Sequence, residues 1–129
     1  GCRAVFVTVD TPVDGNREAT YRSATWLEQV VQQLGAFPAV RTLEKAGVGR
    51  HPGMATSMQW EDIAWMRQSC GMKIVVKGIM TAEDASLAAE YADGIVVSNH
   101  GGRQLDGCAG TASVLRECVQ AVDGRAEVF

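Results

Sequence analysis

The 129-residue chain lacks several features that would point to whole classes of function. No apolar run approaches the ~20 residues of a membrane span. No basic stripe offers a nucleic-acid footprint, and the net charge of -3 with a pI near 5.3 points away from polyanionic partners. The four cysteines, Cys2, Cys70, Cys108 and Cys118, form no CxxC or CxxH pattern. That spacing argues against a metal centre or a disulfide framework. Because they sit in otherwise apolar segments, they are expected to be reduced packing residues of an intracellular protein. Neither GxGxxG nor a Walker loop is present, and there is no internal repeat, low-complexity tract or signal peptide. The first residue is not methionine, Val5 already lies in a strand-like run, and Glu127-Val128-Phe129 reads as the opening of a further strand. The expectation is an internal fragment whose targeting signals lie outside it. What is present is 47% apolar and 21% charged residues, the composition of one soluble globular domain.

Hydrophobic patterning predicts alternating strands and helices. Ala4 to Val9 is a continuous β-branched run ending at Asp10, as suits a strand buried on both faces. Thr11-Pro12 and Asp14-Gly15-Asn16 are turn signals. A helix is expected from Ala24 to Leu34, with Leu27, Val30, Val31 and Leu34 on one stripe and Gly35 after it. Residues 36–56 read as a long irregular loop. Trp60 to Cys70 reads as a helix with Glu61 and Asp62 in its first turn and Gly71 as its stop, although Gln59 stands where Ser or Thr is the commoner cap. Lys73 to Val76 forms a second strand ending at Lys77-Gly78. Thr81 caps an Ala-rich helix to about Tyr91, and Gly94 to Val97 forms a third strand ending at Ser98-Asn99-His100. A last helix over 111–122 places Val114, Leu115, Cys118, Val119 and Val122 on one face, and Val128-Phe129 opens a fourth strand. Such alternation implies a parallel sheet, either doubly wound or closed into a barrel. The barrel is favoured because three strands end in chemically active residues, which a barrel gathers at one mouth.

Those residues each have a plain reading beside a chemical one. Asp10 either caps the turn that follows it or orients a histidine and stabilises its protonated form. Lys77 is either a surface residue at a strand end or a cation facing a group that becomes negative. His100 leaves a buried strand beside Gly101 and Gly102, with Arg103 three residues on. A general base paired with an arginine that clamps a carboxylate suits an acid substrate deprotonated near its carboxylate. Arg17 is by default a solvated turn residue, His51 has no assigned role, and Trp26, Trp60 and Trp65 are expected to be packing residues.

Three ordered segments carry a resemblance: Val7-Thr8-Val9-Asp10-Thr11-Pro12 through Gly15-Asn16-Arg17-Glu18, Trp60-Glu61-Asp62-Ile63 with Ile74 to Gly78, and GIVVSNHGGRQLDG over Gly94 to Gly107. Together they resemble the FMN-dependent α-hydroxy-acid oxidase and dehydrogenase family, which includes glycolate oxidase, lactate oxidase, mandelate dehydrogenase and flavocytochrome b2. The match covers residues 1–22 and 57–129, whereas 23–56 match poorly. The fold implied is α/β, part of a TIM (β/α)8 barrel at roughly strands 4 to 7.

By the same resemblance, His100 is the base, Asp10 stabilises its charged form, Arg103 binds the substrate carboxylate, and Arg17 supports developing charge near the site. Lys77 sits by the N1–O2 edge of FMN, and Thr8 and Ser98 hydrogen-bond the flavin; no metal is implied. The implied reaction oxidises a small L-2-hydroxy acid to a 2-oxo acid, with oxygen, a cytochrome or a quinone as electron acceptor. A homo-oligomer is expected of the full-length protein. The family's substrate-contacting tyrosines are expected upstream of Gly1, and its FMN-phosphate segments beyond Phe129. The stretch Glu90 to Gly94 is one residue shorter than the family pattern. A chain holding about four of ~8 barrel strands is expected neither to fold stably alone nor to bind FMN well. The competing readings are another FMN-binding barrel enzyme and a truncated non-catalytic homologue.

Overall fold

The computed structural model describes residues 1–13, 15 and 57–129, all within a compact unit formed by Gly1–Gly15 and Ala55–Phe129. The helix expected over 24–34, the irregular stretch, His51, Trp26 and Arg17 lie outside the described residues. The elements run β1 (Ala4–Thr8), α1 (Trp60–Cys70), β2 (Lys73–Ile79), α2 (Ala82–Tyr91), β3 (Gly94–Val97), a 3-10 turn (His100–Gly102), α3 (Thr111–Val122) and β4 (Glu127–Val128). The four strands form one parallel sheet in sequence order. That order is the one a barrel requires and not that of a doubly wound sheet with a switch point.

Register determines what each face of the sheet carries. Val5 pairs with Ile74 and Val7 with Val76, while Val76 pairs with Ile95. Ile74, Val76 and Ile95 are fully buried and pack with Ile63 of α1, Ala85, Ala88 and Ala89 of α2, and Cys118 and Val122 of α3. This is the hydrophobic core, lying between sheet and helices. The alternate residues face the opposite, open side: Phe6 beside Val75, then Thr8, Lys77 and Val96 abreast.

Helix ends follow local chemistry. The Thr81 side chain accepts from the Asp84 N–H at 3.2 Å, as expected of an N-cap. At α1 the Gln59 backbone N–H donates to Asp62 Oδ2 at 2.8 Å, so the acidic first turn takes part in a capping box with Gln59. Gly71 ends α1 in the left-handed region. Between α2 and α3, Arg125 donates to the Ser86 carbonyl and hydroxyl and to the carbonyls of Ala121 and Val122.

Several expectations need correction. All four cysteines are free, but only Cys118 is buried, because Cys2, Cys70 and Cys108 fall outside the strands and the core-facing stripes. Trp60 packs, stacking on Tyr91 at 5.7 Å. Trp65 is instead 65% exposed, on the rim of a shallow apolar groove of about 210 Å³ lined also by Val5, Met66 and Ile74. On α3 the expected apolar face splits. Val114, Cys118 and Val122 face the core at helical spacing, while Leu115 and Val119, one step round the helix, are 41% and 48% exposed. Finally, β2 runs three residues past Val76, because a bulge at Gly78 lets the ladder continue to Ile79.

Candidate active site

The strand ends bring three of the predicted residues together. Asp10 follows β1, and the Val9 N–H donates to the Lys77 carbonyl at 2.9 Å, which extends the ladder far enough to hold Asp10 beside β2. Lys77 lies on the open face of β2, level with Thr8. His100 comes from the turn after β3. The Asp10 carboxylate is divided between the other two: Oδ1 lies 3.0 Å from His100 Nδ1, and Oδ2 accepts from Lys77 Nζ at 3.2 Å. Lys77 Nζ is also 3.3 Å from His100 Nδ1. The three side chains are half-buried, with Asp10 the deepest at 11% exposure.

Two partners compete for the histidine's Nδ1. An ionised carboxylate only accepts, so Asp10 favours the tautomer with the proton on Nδ1 and the lone pair on Nε2, whereas the Lys77 ammonium, 3.3 Å from the same nitrogen, only donates and favours the other.

The turn that presents His100 is conformationally unusual. His100, Gly101 and Gly102 have φ values of 58°, 68° and 68°, three successive residues in the left-handed region. For a histidine this position carries strain of about 1–3 kcal/mol. Asn99 holds the turn closed. Its carbonyl and its Oδ1 both accept from the Gly102 N–H, at 3.0 and 3.1 Å, and its Nδ2 donates to the Ala109 carbonyl at 3.1 Å. Ser98 Oγ accepts from the His100 N–H at 3.1 Å. Asn99 is a residue that sequence reasoning missed; the signal was an amide side chain directly before a His-Gly-Gly turn, where Asx-type bonding is common.

Arg103 is exposed, on the same loop and three residues past His100. The next residue anchors that loop: Gln104 Nε2 donates to the Val13 carbonyl at 3.0 Å, tying the loop after β3 to the loop after β1. Ser98 and Thr8 lie at the ends of β3 and β1, with Thr8 exposed on the open face. The row Thr8, Lys77 and Val96 therefore offers a hydroxyl, an ammonium and an apolar side chain abreast. The hydroxyl and the ammonium are hydrogen-bond donors side by side, able to face one polar edge of a bound group. Among the described residues, no group of three or more His, Cys, Asp or Glu side chains could hold a metal ion.

Fold and site thus define a parallel α/β unit whose strand C-termini carry a carboxylate-supported histidine and a cation. The family model described as FMN-dependent dehydrogenase matches residues 1–129. The chain is 41% identical over 139 residues to 2-hydroxyacid oxidase 1 of Mus musculus, a match that covers all of this chain and 38% of that protein. It is 39% identical over 138 residues to glycolate oxidase of Spinacia oleracea, covering all of this chain and 37% of that protein. Among solved structures, the lactate oxidase (putative) of Pediococcus acidilactici aligns with a TM-score of 0.77 at 33% identity, over 98% of this chain and 33% of that one. A mutant mandelate oxidase with an FMN adduct aligns with a TM-score of 0.69 at 34% identity, over 99% of this chain and 34% of that one. The chain belongs to the FMN-dependent dehydrogenase family, and its sheet corresponds to part of that family's barrel. It spans between a third and two fifths of the length of these relatives.

Proposed function

We propose that the described site serves the FMN-dependent oxidation of a small L-2-hydroxy acid to the 2-oxo acid. The observation that carries this reading is the placement of His100 Nδ1 against Asp10 at 3.0 Å, which supports Nε2 as the base of the reaction. FMN, when bound, supplies the two-electron acceptor. His100 takes the proton that the substrate loses, and Asp10 stabilises the imidazolium. Arg103 offers the planar fork that pairs with a carboxylate, and its exposure on the His100 loop leaves it available to an incoming acid. Thr8, Lys77 and Ser98 hold the flavin ring edge, with Lys77 offsetting negative charge there. Arg17, outside the described residues, is given a supporting electrostatic role by the family resemblance alone.

The relatives named as 2-hydroxyacid, glycolate and mandelate oxidases support this substrate class. The full-length protein is proposed to be an intracellular homo-oligomer whose acceptor is oxygen, a cytochrome or a quinone. The test is anaerobic addition of L-2-hydroxy acids to the full-length, flavin-loaded protein. Bleaching of the oxidised flavin band with formation of a 2-oxo acid is the expected result. A flavin that stays oxidised against glycolate, lactate and mandelate would sink the proposal.

A further inference from the structure

We infer that Gly78 is a positioning residue for this site: the absence of its side chain, at a bulge in β2, is what lets the Asp10 carboxylate meet His100 and Lys77 at once. The inference rests on the reading of the site proposed above. It starts from the ladder between β2 and β3. Lys77 pairs with Val96 and Ile79 with Val97, so two steps on β2 are matched by one on β3, and Gly78 is the extra residue. The bulge shifts the alternation of the strand. Ile79 joins Ile74 and Val76 in the buried cluster on the helix side, which leaves Lys77 as the last residue of β2 on the open face. At Gly78 φ is 119°, a conformation that residues with a side chain rarely adopt.

The space that a side chain would need is already taken. A Cβ on Gly78 would lie 2.6 Å from Asp10 Cβ and 2.8 Å from both Asp10 Cγ and Asp10 N. These atoms are the backbone and the root of the side chain, so no rotamer change relieves the overlap. Asp10 has little freedom to retreat, since one oxygen is committed to His100 and the other to Lys77. A displacement of half an ångström or so carries a 3.0 Å contact to the limit of a hydrogen bond. Gly78 therefore acts on the chemistry through Asp10 and touches neither substrate nor cofactor in this reading.

The experiment uses the full-length flavin-loaded protein, with three readouts: flavin-to-protein ratio, pH dependence of anaerobic flavin reduction, and the ¹⁵N-histidine NMR signal of the His100 Nδ1 proton, assigned by its loss in His100→Gln. Gly78→Ala is expected to keep its flavin within about 2-fold and to lose the downfield Nδ1 proton signal. It should reduce flavin about 10-fold or more slowly, with the pH profile of Asp10→Asn. The double variant Gly78→Ala/Asp10→Asn should fall within about 2-fold of Asp10→Asn alone, because the two changes act on one interaction. Retention of the Nδ1 signal with a wild-type pH profile, or multiplicative losses in the double variant, would overturn the inference. If Gly78→Ala does not accumulate as folded protein, Gly78→Ala/Asp10→Gly removes the Cβ and Cγ it would strike. Recovery of folding then supports the inference; failure to recover means that the backbone at Gly78 and Asp10, not the Asp10 side chain, is what requires the glycine, and overturns it. If the wild-type flavin is reduced by no L-2-hydroxy acid, the proposed reaction falls, while the Nδ1 signal still decides the role of Gly78.

Discussion

Two carboxylates sit at opposite ends of the same sheet, each shared between two basic side chains, and their surroundings differ. At the C-terminal ends of the strands Asp10 faces Lys77 and His100. At the N-terminal ends Asp93 faces Arg67 at 3.0 Å and Lys73 at 2.9 Å. The third partner makes the difference. Asp93 Oδ2 also accepts the Ile74 N–H at 3.0 Å, and the Asp93 N–H donates to the Ile74 carbonyl at 2.8 Å, so this carboxylate is stitched to β2. Asp10 has no backbone donor among the described residues, and one of its partners is an imidazole that can gain a proton. Burial pushes the Asp93 carboxyl up, but the Ile74 N–H with Lys73 and Arg67 outweighs it and leaves the group below its ordinary value of 3.8. A carboxylate saturated by fixed donors is a structural clamp, whereas one that shares itself with a base can respond to a reaction. In a barrel this division is expected, since strand C-termini carry chemistry and strand N-termini carry stability.

The contrast can be broken at four places, all in the full-length flavin-loaded protein. The largest effect is expected from His100→Gln, which keeps hydrogen-bonding capacity but cannot accept a proton near neutral pH. Flavin reduction by substrate in anaerobic stopped flow should slow by about 10²–10⁴-fold with flavin content unchanged. A near wild-type rate would remove His100 from the base role.

Asp10→Asn should follow. It keeps the shape and removes the charge that supports the imidazolium, so a loss of about 10–10²-fold is expected, in line with ~1.5–3 kcal/mol for a hydrogen bond to a charged group. The pH dependence of reduction should shift with it; an unchanged rate and profile would return Asp10 to a turn-capping role. Arg103→Lys keeps charge and loses the fork. The apparent substrate constant should rise by about 10-fold while flavin affinity holds, as substrate titration against flavin content would show. Unchanged affinity for the hydroxy acid would take Arg103 out of the substrate site.

Asp93→Asn should do least. Its cationic partners are 45% and 73% exposed, so solvent screens them, and a loss of about 1 kcal/mol in unfolding free energy is expected, with the reduction rate unchanged. The sign with pH follows from the lowered folded value. The stabilisation is present above the ordinary carboxylate range and drains away as pH falls through the folded value. The variant should therefore lose less stability on acidification than wild type, which denaturant titrations at pH 7 and pH 3 would read. A slowed reaction in Asp93→Asn would erase the distinction between the two ends.

The sequence revealed the chemical end of this comparison and not the structural one. Asp10, Lys77 and His100 were visible because each follows an apolar strand, and alternating strands and helices placed those ends together. The boundaries of α1, α2, β3 and α3 were legible from caps and stops such as Thr81 and Gly71. Asp93 looked like part of an unusually short connection, because its partners lie 19 to 26 residues away on elements whose registry no local pattern encodes. Gly78 was hidden for a related reason: a bulge is a relation between two strands, and a glycine at a strand end reads as a simple stop. Leu115 and Val119 were misplaced because periodicity identifies an apolar arc without saying how much of it a neighbour covers.

The separation in sequence between partners carries a further consequence, in the order of assembly. The Asp10–His100 contact closes 90 residues of chain, against 19 for Asp93 Oδ2 to the Ile74 N–H. Loop-closure entropy makes the longer closure more costly by about 1.4 kcal/mol. The lower clamp can form within a local strand–helix–strand unit, while the upper triad exists only when β1 has docked beside β2. By this cost the Asp10–His100 contact is expected to form after the local clamp between Asp93 and Ile74, once β1 has joined the sheet.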